Sequence, residues 1–151
     1  MENNEQNTML DLAPKAQPLF TAQEVTVKSW TSLTMSNHKE KAMVFNAVSN
    51  PDFQLIDFVG QPIPVVHIYA QSEEFTEEET GEIKEGTRVI LFDPEGKAYS
   101  CVSGGIKRSL TTLFATFGVP PFLPPLVVIP ALVKSKDNAM RKILKLNVAV
   151  D

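Results

Sequence analysis

The tetrapeptide Asp93-Pro94-Glu95-Gly96, set between the apolar runs Arg88–Phe92 and Lys97–Val102, constrains this chain more than any other stretch. Proline presets φ at the first central position of a type I turn. Glycine readily takes the left-handed conformation that follows it. The segment therefore reads as a β-hairpin. A helix follows at once, because Ile106, Leu110, Leu113, Phe114 and Phe117 recur at helical spacing and draw one apolar stripe. Ser103 or Gly104 can cap its start, and Gly118 stands where a helix-ending glycine belongs.

The neighbours of this strand–strand–helix unit set the fold class. Upstream, Glu24 to Thr34 is rich in β-branched residues and reads as a short strand. Asn37 to Ser49 reads as a helix with Ser36 as N-cap and Val44, Phe45 and Val48 on its apolar side. Phe53 to Gly60 is a linking segment. Ile63 to Ala70 reads as a strand with Val66, Ile68 and Ala70 on one face and Val65, His67 and Tyr69 on the other. Ser72 to Gly86 is an acidic connection with Thr80-Gly81 at its tip. Downstream, Val119-Pro120-Pro121-Phe122-Leu123-Pro124-Pro125 is an extended connection. Leu126 to Lys136 is a strand with Pro130 at a bulge or an edge, and Lys136 to Ala139 turns the chain. Arg141 to Val150 is the last strand, with Leu144, Leu146, Val148 and Val150 inward.

From Ile63 the order is three strands, a helix and two strands. The expected fold is mainly β: an OB-like five-stranded barrel with a helix between its third and fourth strands, plus an added N-terminal helix. A sandwich would bring more strands, and a ferredoxin-like order would need a helix where the acidic connection stands. Residues 1–21 lack periodicity and read as a mobile arm before a single domain at 22–151. Trp30, the single tryptophan, is expected to pack on the core.

Composition narrows the chemistry. One cysteine, Cys101, excludes an internal disulfide and a zinc cluster of cysteine ligands, and a reducing cytoplasm is the expected compartment. The longest apolar run, Leu126 to Val133, is too short to span a bilayer, so no membrane partner is expected. The histidines His38 and His67 lie far apart, and no HExxH, GxSxG or GxxxxGK[ST] pattern occurs. No catalytic set, metal or cofactor is expected. Gly104-Gly105 reads as steric relief at a strand-to-helix turn, with a phosphate held beside Lys107 and Arg108 as the minority reading. The acids Glu73, Glu74, Glu77, Glu78 and Glu79 read as a solvated hairpin loop.

Basic and aromatic residues form the more informative pattern. The net charge is −4, yet Lys84, Arg88, Lys97, Lys107, Arg108, Lys134, Lys136, Arg141, Lys142 and Lys145 all lie in the barrel half. His67, Tyr69, Phe75, Phe92 and Tyr99 lie on or beside its first three strands. Cations that track phosphates and aromatics that stack bases are what a single-stranded nucleic acid needs. The candidate binding residues are His67, Tyr69, Arg88, Phe92, Lys97, Tyr99, Lys107, Arg108, Lys134 and Lys136. A two-residue hairpin loop would put Arg88, Phe92, Lys97 and Tyr99 on one face. A three-residue loop with a bulge at Gly96 would split Arg88 and Phe92 from Lys97 and Tyr99.

A run of short motifs resembles bacteriophage and mobile-element single-stranded DNA-binding proteins. They are Phe45-Asn46-Ala47 with Asn50-Pro51, Thr80-Gly81-Glu82, Arg88–Leu91, Asp93–Gly96 with Tyr99, Val102-Ser103, Phe117–Pro120 and the strand Lys142–Val148. The resemblance covers about Ser36 to Val150. It implies an OB-type fold and non-catalytic coating of single-stranded DNA during phage replication or recombination in the host cytoplasm. Replication proteins and further copies of the chain are the other partners it opens. Pro121–Pro125 is more apolar than that pattern, and Asn147–Asp151 lacks the acidic, aromatic-ended tail of the bacterial type. The rival reading is a protein-interaction or structural module of a replisome or virion, with the proline-rich segment as a docking patch.

Overall fold

Val66 divides what reads as one strand into two, and both sheets of the protein follow from that division. Its N–H donates to the carbonyl of Phe92 and its own carbonyl accepts from the N–H of Phe122. Strand pairing changes partner at this residue. In the computed structural model, which describes residues 28–76, 80–136 and 142–151, the elements run as follows. Strand β1 (Ser29–Thr31) and helix α1 (His38–Ser49) come first, then β2 (Phe53–Gln54) and a 3-10 turn (Leu55–Phe58). Next are β3 (Ile63–Val65), β4 (His67–Thr76), β5 (Ile83–Phe92) and β6 (Ala98–Val102). Helix α2 (Gly104–Phe117), β7 (Leu126–Lys134) and β8 (Lys142–Val148) complete the chain.

The protein is mainly β, with one sheet in the order β1-β4-β5-β6-β2 and a second in the order β3-β7-β8. No ladder joins β6 to β8, so the expected five-stranded closed barrel is replaced by two sheets with a gap between them. Helix α2 is the physical reason. The backbone groups on the free edge of β8 face the helix: Leu146 N–H donates to Ser109 Oγ at 3.1 Å, and a side chain on Gly105 would run into Leu144 O.

The hairpin expectation holds in its bulged form. Phe92 pairs with Ala98, Asp93 N–H donates to Lys97 O, and Gly96, at φ 83°, donates to Asp93 O. Asp93 Oδ1 accepts from Glu95 N and Lys97 N, which fixes the turn from inside. The register Arg88↔Val102, Ile90↔Ser100 splits Arg88 and Phe92 from Tyr99. The expected faces of Ile63–Ala70 hold after Val66, with Ile68 and Ala70 on one side and Tyr69 on the other, and fail before it. Val65 and Ile68 enter the same core, and Tyr69 enters another. The acidic connection is largely strand: β4 and β5 stay paired from His67↔Phe92 out to Thr76↔Ile83.

Two cores result. Between the sheets and α2 lie Leu55, Ile63, Val65, Ile68, Val89, Leu91, Tyr99, Ile106, Leu110, Leu113, Phe122, Val128 and Leu144. On the opposite face of the larger sheet, α1 covers Tyr69, Ile90, Phe92 and Ala98 with Val44, Ala47 and the preceding Leu33. Asn37, rather than Ser36, caps α1, with Oδ1 accepting from Glu40 N at 2.9 Å. Phe45, expected on its apolar side, points to solvent, because Val44 and Ala47 fill the buried stripe. Ser103 caps α2 and Gly118 closes it. Pro130 faces the local edge of β7. Pairing with β3 has ended at Val128, and Pro130 O turns outward to accept from Gly60 N. Trp30 is 42% exposed and rests on the ring of Phe114, and Val150, expected inward, is fully exposed beyond β8.

The expected arm at 1–21, residues 24–27 of the first strand, Glu77–Glu79, most of the 136–139 turn and Arg141 lie outside the described residues. So do the side chains of Phe75 and Lys84.

Candidate nucleic-acid interface

Three aromatic candidates sit inside the protein. Phe92 is 1% exposed beneath α1, Tyr69 is 7% exposed with its hydroxyl donating to Gln71 Oε1, and Tyr99 is 8% exposed. Tyr99 packs against Phe53 and Phe58 at ring-centroid distances of 4.9 and 5.0 Å, and its hydroxyl donates to Asp93 Oδ2. None presents a ring face to a base. The physical reason is that the inter-sheet core takes in Tyr99, while α1 lies over Tyr69 and Phe92. His67 is half-buried. Ser32 Oγ accepts from Ile68 N and shares a 3.0 Å hydrogen bond with His67 Nδ1. Burial pulls the imidazole below its ordinary range, only partly offset by the Glu40 carboxylate, so the ring offers no cation to a phosphate at neutral pH.

The cations divide into three groups. Arg88 is engaged by Glu73 and Ser100 on the face that α1 partly covers. Lys97 is exposed at the end of the hairpin turn, next to Gly96, which faces Met43 of α1. Lys107, Arg108, Lys134 and Lys136 are all exposed on the other side of β6, about α2 and the second sheet.

That second region holds a cleft of about 730 Å³ where β6 and β8 fail to pair. Its walls are the end of β6 with Ser103, the β8 segment Lys142–Leu144, and the start of α2 with Lys107 and Arg108. Gln54, Ile56 and Leu132 close the rest, and Glu85 is the one acid on it among the described residues. An atom at the Cβ position of Gly104 would lie 3.8 Å from Arg108 Nη1, so the guanidinium folds back over the start of the helix. Lys134 pairs with Lys142 across β7–β8 and extends the basic rim. A second groove of about 380 Å³ continues between α2 and β8, lined by Arg108, Thr112, Phe117, Lys145 and Asn147. Arg108 belongs to both. Phe117, 51% exposed, is the aromatic that the helical stripe assigned inward and the helix end turns outward. Phe117, Lys142 and Lys145 were outside the candidate site. Their signal was position: two lysines on the edge strand beside a helix whose last aromatic overshoots the core.

Cys101 lies on the cleft wall, buried and free. Burial pushes its thiol up to about 12, with Arg88 opposing only weakly. At pH 8 the folded protein should react with a thiol-exchange reagent far more slowly than the unfolded chain, measured by absorbance with and without denaturant. Among the described residues no group of three or more His, Cys, Asp or Glu could hold a metal, and no helix is long and apolar enough to cross a membrane. The proline-rich segment puts Phe122 in the core and leaves Val119 and Leu123 exposed.

Comparison with known proteins found no match among curated proteins or solved structures. A family model described as Phage Single-stranded DNA-binding protein matches residues 21–149, which takes in both sheets, both helices and both grooves. A single-stranded DNA-binding role comes with that family, and the chain belongs to it: it is a member of the Phi29-type phage single-stranded DNA-binding proteins.

Proposed function

We propose that this protein coats single-stranded DNA without catalysis, during phage DNA replication or recombination, and that the strand runs along the cleft between β6 and β8 and on into the α2–β8 groove. The observation that carries the reading is the continuity of the two grooves through Arg108, with Lys107, Lys142 and Lys145 along the same track and Phe117 in its second half. Phosphates would be held by the cations in a salt-dependent way, because counterions released on binding are recovered at high salt. A base would stack on Phe117. Tyr69, Phe92 and Tyr99 would then act as scaffold, and Lys134 and Lys136 as flanking charge. Binding of this kind needs neither a metal nor a nucleotide cofactor.

A local conflict supports the same track. Lys107 and Arg108 follow the N-terminal turn of α2, the end where the helix dipole favours anions, and no acid stands in that turn. Positive charge kept at the unfavourable end of a helix is the kind of local inconsistency that marks a working site.

Fluorescence anisotropy with a dT oligonucleotide, an equivalent duplex and an RNA oligonucleotide at two salt concentrations tests the reading. Salt-sensitive binding to dT with weak duplex binding is expected, and no binding to dT at low salt would refute it. Phe117→Ala should weaken dT binding about 5- to 10-fold while leaving the salt slope unchanged, since it removes stacking and no charge.

A further inference from the structure

On the outer face of the larger sheet, running out from Tyr69 at the edge of α1, five polar side chains are joined in one chain of hydrogen bonds. Tyr69 Oη donates to Gln71 Oε1 at 2.8 Å, and Gln71 Nε2 donates to Glu73 Oε2 at 2.9 Å. Arg88 then grips both oxygens of Glu73, through Nε to Oε2 and through Nη2 to Oε1, the latter at 3.1 Å. Arg88 Nη1 donates to Ser100 Oγ at 2.8 Å, which fixes the plane of the guanidinium. A planar guanidinium offers the same fork to a carboxylate and to a phosphate. The pair is open to exchange: the two side chains are 24% and 26% exposed. It also borders the cleft, because Val102, the cross-strand partner of Arg88, and Gly86, two residues before it, both line that cleft.

We propose that Glu73 is an internal competitor of DNA, its carboxylate seated in the Arg88 fork where a backbone phosphate of the bound strand would otherwise sit. The proposal rests on the single-strand reading. Arg88 is thereby a phosphate-binding residue kept in reserve. The free protein holds its fork neutralised and oriented, and a strand gains that contact only by displacing Glu73. The hydrogen bonds from Arg88 and Gln71 hold the Glu73 carboxyl below its ordinary range, so the competitor stays ionised at neutral pH.

Four variants, each checked for an unchanged circular dichroism spectrum, test this by anisotropy with the dT oligonucleotide at low salt. Glu73→Gln removes the competing charge. Glu73→Asp keeps the charge but shortens the side chain, so the two-point grip is lost. Both should bind dT tighter, by about 3- to 10-fold, with a log–log salt slope steeper by about 0.7 for the one phosphate gained. Glu74→Gln makes the same charge change at the exposed neighbour and should stay within about twofold of wild type. Adding Arg88→Ala to Glu73→Gln should erase the gain. A wild type that binds dT, with no gain in Glu73→Gln or Glu73→Asp, would overturn the proposal and leave the single-strand reading intact. An equal gain in Glu74→Gln, or a gain that survives Arg88→Ala, would overturn it in favour of general electrostatics.

Discussion

Reversing two charges, Lys107→Glu with Arg108→Glu, should cost about 100-fold in affinity for a dT oligonucleotide at low salt while leaving the fold as stable as before. Two phosphate contacts are lost and two repulsions replace them. The log–log salt slope should therefore become shallower by about 1.4, at roughly 0.7 per contact on a single strand. Stability should hold, or rise by a few tenths of a kcal/mol, because acids near the start of α2 suit its dipole better than the present cations do. Both side chains are exposed, so no packing is lost. Anisotropy titrations at several salt concentrations, with urea melts of the same samples, separate the two effects. Unchanged binding in the double variant would take the start of α2 out of the interface.

Gly105→Ala should destabilise the protein, with a sign opposite to helix propensity. Alanine in place of glycine inside a helix ordinarily gains about 1 kcal/mol. Here the added methyl would run into Ile143 Cγ2 and the backbone oxygen of Leu144, because Gly105 is where α2 lies directly on the edge of β8. A backbone atom cannot step aside as a side chain can, and overpacking of this kind costs about 1–3 kcal/mol, with the clash on two atoms pointing to the upper end. A net loss of about 2 kcal/mol is expected, seen as a lower urea midpoint with an unchanged slope. Gly104→Ala is the control. Its methyl would meet only Arg108 Nη1, at 3.8 Å, so stability should stay within about 1 kcal/mol of wild type. The same contact shapes the cleft, so a folded fraction of Gly105→Ala should also bind dT more weakly.

Local chemistry was readable in the sequence where it is self-contained. The hairpin turn depends on Asp93, Pro94 and Gly96 alone, and α2 on its own stripe, cap and closing glycine. Both are found as expected, as are β7, β8 and the family. What the sequence hid depends on distant partners. Val66 looks like any strand residue, and only pairing with Phe92 on one side and Phe122 on the other reveals that the strand changes sheets there. That switch alters which side chains share a core. It also explains why the period of two misplaced Val65, which shares a core with Ile68 rather than with Tyr69. The acidic connection reads as a solvated loop, yet Glu73, Glu74 and Glu85 stand on a two-stranded ribbon where Arg88 can balance Glu73.

The site followed the same rule. The expectation that Tyr69, Phe92 and Tyr99 would stack bases assumed an open sheet face, but Val44 and Ala47 of α1 close the face that holds Tyr69 and Phe92. An amphipathic helix does not announce which sheet it will cover. The cations Lys107, Arg108 and Lys134 were visible as charges. Their grouping with Lys142 and Lys145 depends on the absence of a β6–β8 ladder, which no local pattern encodes. Phe117 fits the stripe of α2 by spacing and leaves it only because the helix outruns the core by one turn.

Hydrogen exchange of the protein with and without a saturating dT oligonucleotide is the most direct test of where the strand lies. The account predicts new protection concentrated at residues 101–108, 116–118 and 142–147, the walls of the two joined grooves, with α1 unchanged. Protection confined to α1 and the 93–97 turn, with the β6–β8 cleft exchanging as in the free protein, would contradict it.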